Sequence, residues 1–373
     1  MPNSGRSRVK RKTWSHPSAR IDSDIACSPG SAVDRIADMN RVLVFPILIV
    51  AGSTAACQQT PEAATDAPTP PAMHCPEIDD DPVRINGGTF SMGQSGIYAE
   101  EGLVRQTQVG GFWIDPHEVT NRQFADFVSA TGYVTVAELP VDPDQFGASA
   151  AEIPPDMLKP GSAVFTPPDR PSTDYADWWR YVPGANWKKP YGAGGPDAAA
   201  NKPVVHLAWD DMVAYARWKG GRLPSEAEWE FAASAGEDNS REQPGPDEAN
   251  SWQGVFPVVN EETDGFEGIA PVGCYAPNAH GLFDMIGNVW EVTADYYRPG
   301  HDPADTNDPQ GPDADAAFDP QNPTLPSRVM KGGSYLCAPN YCQRYRPSAR
   351  QARDPGLGAS NVGFRLVYDS NRD

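Results

Sequence analysis

Two cysteines, Cys337 and Cys342, stand five residues apart in a segment crowded with Lys331, Arg344, Arg346, Arg350 and Arg353. Nearby positive charge lowers a thiol's pKa and favours the thiolate, which is both a nucleophile and a metal ligand. Pro339 lies between them and interrupts any helix, so the two sulfurs must meet across a loop. Two thiolates with no histidine nearby suit a soft, low-coordinate ion such as Cu(I) better than a tetrahedral zinc. The same spacing equally allows a plain disulfide in an exported protein.

A second set of residues is rich in oxygen. Asn250 and Ser251 are followed by Asp264 and Phe266, and then by the run from Asp284 through Gly287 and Val289 to Glu291. Carboxylates mixed with Asn and turn-forming Gly let side-chain and carbonyl oxygens converge, which suits calcium. In so acidic a chain, solvated acidic loops are the competing explanation. The six histidines are scattered and none pair at helical ligand spacing, so a zinc or iron centre would have to be gathered from distant segments. There is no phosphate-binding glycine loop, no G-x-S-x-G elbow and no H-E-x-x-H.

The elements that must position these residues are few. Residues 85–93 read as a strand, a tight turn and a second strand. Thr120 and Gln123 have the spacing of a capping box, with Phe124, Phe127 and Val128 on one buried face. A second helix is expected from Asp210 to Gly220–Gly221, and a third after Pro224, opened by Ser225 and Glu228 with Trp229 and Phe231 inward. Stretches 139–175 and 232–250 have no clean period, and the Asp- and Pro-rich stretch 298–326 reads as an exposed loop. The fold class is therefore α+β with much irregular structure and no βαβ alternation.

Of 373 residues, 50 are Asp or Glu against 30 Lys or Arg, a net charge of −20 that makes nucleic acid an unsuitable partner. The first 56 residues hold eight basic and four acidic side chains, so the acidity belongs to residues 57–373. Residues 1–38 are basic and aperiodic, and Met39 is the expected start. From Met39 to Cys57 a short charged start, an apolar core and small residues compose an export signal, its core too short for a permanent bilayer span. Cys57 after Ala55 and Ala56 resembles the lipidated cysteine of bacterial lipoproteins, although Thr54 stands where an aliphatic residue is usual. Residues 58–80 have linker composition, and a folded domain is expected over 81–370. The expected location is outside the cytoplasm, anchored to a membrane through a lipid at Cys57.

Motifs spread from about Arg84 to Val367 resemble the formylglycine-generating enzyme family, the sulfatase-modifying factors. They include Gly87 to Gly93, Glu118 to Asn121, Gly221 to Glu230, Gly281 to Glu291, Lys331 to Ser334 and Asn361 to Arg365. The Cys337/Cys342 pair, set between Gly332-Gly333-Ser334 and Arg344-Tyr345-Arg346, is the part specific to the catalytic branch. The resemblance implies an irregular single domain distantly like C-type lectins. It implies oxidation by O2 of the cysteine in a sulfatase's Cys-x-Pro-x-Arg segment to Cα-formylglycine.

In that likeness Cu(I) would sit between Cys337 and Cys342, Ser334 would line an oxygen pocket, and Trp290 would be its apolar wall. Tyr341 and Arg344 would be near neighbours. Glu118 and Asp142 would receive the substrate's arginine. Calcium would be held by Asn250, Ser251, Asp264 and Phe266, and again by Asp284, Gly287, Val289 and Glu291. Cys75 and Cys274 are left over, and the sequence leaves open whether they pair in an oxidising compartment and pin the linker to the domain or stay reduced. The alternative is a lipid-anchored binding or assembly protein of the same fold, with Cys337–Cys342 a disulfide. An iron-dependent oxidase of the same superfamily would need a His-rich motif, which this sequence lacks.

Overall fold

Three α-helices form where the caps place them. In the computed structural model the described residues are 75–143, 153–172, 174, 177–235 and 244–369. The leader with Cys57 and the linker as far as residue 74 lie outside them. Helix α1 runs Asn121–Thr131, with a reciprocal capping box between Thr120 and Gln123 and a left-handed Gly132 at its end. Helix α2 is Trp209–Lys219, closed by Gly220, and α3 is Glu226–Ser234, opened by the Ser225–Glu228 box. Phe124 and Phe127 of α1, Tyr215 of α2 and Trp187 make mutual ring contacts in the larger core.

The strands are short and divided among small sheets. In chain order β1 is Val83–Ile85, β2 Gly88–Met92, β3 Arg105–Val109 and β4 Phe112–Ile114. Then come β5 Gly161–Phe165, β6 Trp179–Pro183, β7 Gly254–Val255 and β8 Val259–Asn260. The last are β9 Trp290–Tyr296, β10 Arg328–Lys331, β11 Arg350–Arg353, β12 Val362–Gly363 and β13 Val367–Asp369. The sheets are β1-β4-β13, β11-β10-β9-β12 and the pairs β2-β3, β5-β6 and β7-β8. Both strands expected around residue 87 exist, but they do not form a hairpin. Strand β1 pairs with β4 and β2 pairs with β3. The reason is a close backbone approach: a Cβ on Gly87 would lie 2.4 Å from the Val109 carbonyl oxygen, so the glycine lets two backbones touch rather than turning a hairpin.

The stretch 298–326 is mostly exposed coil with one 3-10 turn at Ala314–Ala316. Cys75 and Cys274 are joined by a disulfide spanning 199 residues. It fastens the start of the described chain to the loop holding Gly273, whose N–H donates to Asp284 Oδ2 at 2.6 Å.

The four-stranded sheet and α3 enclose buried charge. Lys331 of β10 lies 2.8 Å from Glu230, and Arg350 of β11 is bidentate on Glu226 at 2.7 and 2.8 Å. Asp295 of β9 accepts the Glu226 N–H at 2.7 Å. Burial, followed by the neighbouring Glu226, pushes Asp295 up from 3.8 to about 7. Because the folded value lies above the unfolded one, charging Asp295 opposes folding. Its favourable contribution is complete below about pH 4 and is lost as pH rises to about 7. Asp295→Asn is therefore expected to match wild type in urea unfolding at pH 4 and to exceed it at pH 8, by up to about 4 kcal/mol. Equal differences at the two pH values would contradict this.

Candidate active site

The cysteine loop begins where β10 ends. Gly332 and Gly333 have φ of +91° and +77°, a region that glycine enters without strain. A Cβ on Gly333 would meet the Arg344 carbonyl oxygen at 2.9 Å and Cys337 Sγ at 3.3 Å, so the chain folds back on itself only with glycine there. Turn bonds then replace a helix: Cys337 N–H donates to the Ser334 carbonyl at 2.8 Å, and Cys342 N–H to that of Ala338 at 3.0 Å. Trp252 N–H donates to the Cys337 carbonyl and ties the loop to the segment after Asn250.

The two sulfurs lie 2.7 Å apart and are not bonded, since a disulfide is about 2.05 Å long. Both are buried in one cluster with Trp290 and Tyr345. The hydrogen bond from Cys337 and the Arg344 guanidinium hold the Cys342 thiol below its ordinary value, against burial. Burial and the neighbouring Cys342 push the Cys337 thiol up. The pair thus favours one shared negative charge, centred on Cys342. Ser334 is buried beside it and its Oγ accepts a hydrogen bond from Asn361 Nδ2 at 3.1 Å. Tyr341 is 37% exposed, stacks on Phe256 with ring centroids 4.4 Å apart, and meets Trp178 edge-on.

Arg344 is itself held. Its guanidinium pairs with Glu100 and lies 3.9 Å from the centre of the Tyr98 ring, while Gln343 N–H donates to the Tyr98 hydroxyl at 3.1 Å. Tyr98 and Glu100 escaped sequence reasoning. The available signal was the Glu100–Glu101 pair, the acidic complement to the arginines around Cys342.

Glu118 is not in an open groove. It is 0% exposed, accepts Asn288 Nδ2 at 3.1 Å, and its Oε2 is buried without a partner. Burial, then Asp284, pushes its carboxyl well above the usual range. The carboxyl expected to receive the substrate's arginine is thus enclosed in this structure, with Asn288 against it. Asp142 is exposed, next to Pro143.

The oxygen-rich residues are gathered as two groups. Asp264 accepts the N–H groups of Ser251 and Phe266 at 3.2 and 3.1 Å, and burial pushes it up. The Asn288 N–H donates to the Asn250 carbonyl, joining the two groups. In the second group burial pushes Asp284 up to about 6. Glu291 is bidentate on Arg365 at 2.7 Å and also accepts Trp229 Nε1. Asp284, Glu291 and Glu118 influence one another while Arg365 is the charge that offsets them, so this region is short of a cation. The oxygen donors therefore fit calcium in chemistry. The two converging sulfurs fit a soft, low-coordinate ion. Among the described residues no three His, Cys, Asp or Glu side chains form a metal-binding group.

A family model described as the sulfatase-modifying factor enzyme 1-like domain matches residues 69–370. The chain belongs to the sulfatase-modifying factor family. Within this family it is 46% identical to a formylglycine-generating enzyme of Mycobacterium tuberculosis over 77% of this chain and 97% of that one. It is 43% identical to a formylglycine-generating enzyme of Thermomonospora curvata, over 77% and 93%. The structure of PvdO from Pseudomonas aeruginosa matches 81% of this chain and all of its own, with a TM-score of 0.53 and 21% identity, and so shares its fold.

Replacing Arg344 by Met removes the cation facing Cys342. The expected result is a rise of about one pH unit in the midpoint of thiolate absorbance in the metal-free protein. An unmoved midpoint would show that Arg344 does not set the charge on the sulfurs.

Proposed function

We propose that this chain oxidises the cysteine of a sulfatase Cys-x-Pro-x-Arg segment to Cα-formylglycine, with O2 as co-substrate and Cu(I) held by Cys337 and Cys342. The observation that carries this reading is the buried, unbonded sulfur pair with Arg344 against Cys342. Copper would supply a place where the substrate thiolate and O2 meet and exchange electrons. The chain's own residues supply the rest. Trp290 and Tyr345 share the buried apolar cluster that holds the sulfurs away from water, Arg344 favours the thiolate form, and Ser334, its hydroxyl bonded by Asn361, stands in the turn that carries Cys337.

The chemistry balances as a two-electron oxidation. The substrate cysteine loses one hydrogen from Cβ and one from sulfur and becomes a thioaldehyde. Water then replaces the sulfur, leaving the aldehyde and releasing hydrogen sulfide. The two electrons pass to O2, giving hydrogen peroxide, or two waters when a pair of external thiols supplies two more on joining as a disulfide. Asp142, exposed at the surface, is the remaining acid for the substrate's arginine.

Calcium at the Asp264 and Asp284 groups belongs to the same reading, as does export with a lipid anchor at Cys57, supported by the leader's composition. Export agrees with the Cys75–Cys274 disulfide.

Copper-loaded protein incubated with a Cys-x-Pro-x-Arg peptide and O2 is expected to yield the aldehyde, read by mass. Cys337→Ser and Cys342→Ser are each expected to abolish both the product and tight Cu(I) binding. No mass change with the fold intact would favour a binding protein instead.

Calcium added to chelator-treated protein is expected to raise the melting temperature by roughly 5 °C at a hundredfold excess over Kd. Asp264→Asn should lose a large part of that shift. A melting temperature indifferent to calcium would remove the ion from this account.

A further inference from the structure

A cavity of about 80 Å³ lies behind the loop that follows β9, lined among others by Arg105, Glu226, Arg298, His301, Asp305 and Arg350. It is distinct from the sulfur pair and from both oxygen-rich groups. The His301 side chain is 6% exposed, and its Nδ1 has no hydrogen-bond partner. Its Nε2 lies 3.4 Å from Glu226 Oε1, within ion-pair distance. Arg105 Nε is also buried and unbonded, while Nη1 donates to the Asp302 carbonyl. Arg298 adds a half-buried guanidinium with no side-chain partner among the described residues.

The acids around the cavity are less open than the cations. Glu226 is neutralised by bidentate Arg350, with Lys331 a further 3.4 Å away. Asp302 is exposed and accepts the Ala304 N–H. Asp305, half-buried, is the acidic group left facing the space. Arg350 is largely committed: Nε and Nη2 hold Glu226, and Nη1 serves the carbonyls of Glu100, Arg298 and Gly300.

A buried donor without an acceptor is costly, and a native structure normally satisfies such groups with water or an ion. The volume is several times what one water needs. Three guanidiniums repel a metal cation, the open guanidinium groups are donors only, and the His301 ring brings an N–H of its own. A ligand that offers acceptors in several directions and carries negative charge meets all of them together.

We propose that this cavity binds a small tetrahedral oxyanion of the sulfate or phosphate class, held by Arg298, His301 and Arg105 Nε. The site communicates with the sulfur pair by a short route. Arg350 holds the Glu100 carbonyl, and the Glu100 carboxylate holds Arg344 beside Cys342.

Equilibrium dialysis of the full chain against labelled sulfate or phosphate, in chloride at constant ionic strength, tests this. Saturable binding of one anion per chain is expected, weakened at least tenfold by Arg298→Met and by His301→Gln. Arg298 lies at the half-buried rim, so its variant keeps the fold, which circular dichroism verifies. Absence of saturable binding would mean that water alone fills the cavity, and binding unchanged in both variants would place the anion elsewhere. Either result overturns the proposal.

Discussion

Four arginines near the end of the chain set their guanidiniums against carboxylates far away in sequence, three of them fully buried and Arg344 partly so. Arg344 pairs with Glu100, Arg346 with Glu101, Arg350 with Glu226 and Arg365 with Glu291, across separations of 244, 245, 124 and 74 residues. In a domain of short strands and long coil, ladders and helices cannot hold the loops, and these contacts take over that task. Removing one partner of a buried pair typically costs about 3–5 kcal/mol, because the other charge is then stranded. The long sequence separations also mean that the loops are fixed late and together, when distant segments meet.

The same arrangement sets the chemistry of the sulfurs. Arg344 is anchored by Glu100 and Tyr98, and is thereby aimed at Cys342. Behind it, Arg346 and Arg350 lock the 3-10 turn Ala99–Glu101 that carries Glu100. A residue near the start of the domain thus governs the ionisation of a cysteine near its end. On the other side, Trp252 and Asn250 bind the cysteine loop and the oxygen-rich segments to each other.

What could be read from sequence depends on the range of the interactions. The helices were legible because a capping box is local: Thr120 with Gln123 and Ser225 with Glu228 lie within one turn. The sulfur pair was legible because five residues separate its members and Pro339 rules out a helix between them. Strand pairing at Gly87 was not, since the deciding contact is with Val109. The enclosure of Glu118 was not legible for a related reason: its sequence neighbours do not reveal that Asn288, 170 residues away, lies against it. Tyr98 and Glu100 were missed because their partners lie more than 240 residues on.

The two described cysteine pairs are in opposite oxidation states: Cys75 and Cys274 are bonded, while Cys337 and Cys342, 2.7 Å apart, are not. The chain is therefore workable only within a window of ambient oxidant. Strong reductant opens the 199-residue staple, and strong oxidant can close the neighbouring sulfurs on each other. Exclusion of solvent from Cys337 and Cys342 separates these outcomes kinetically, because a buried thiol meets a disulfide-exchange reagent slowly. Burial of the sulfurs thus lets one polypeptide keep a crosslink and a dithiol side by side.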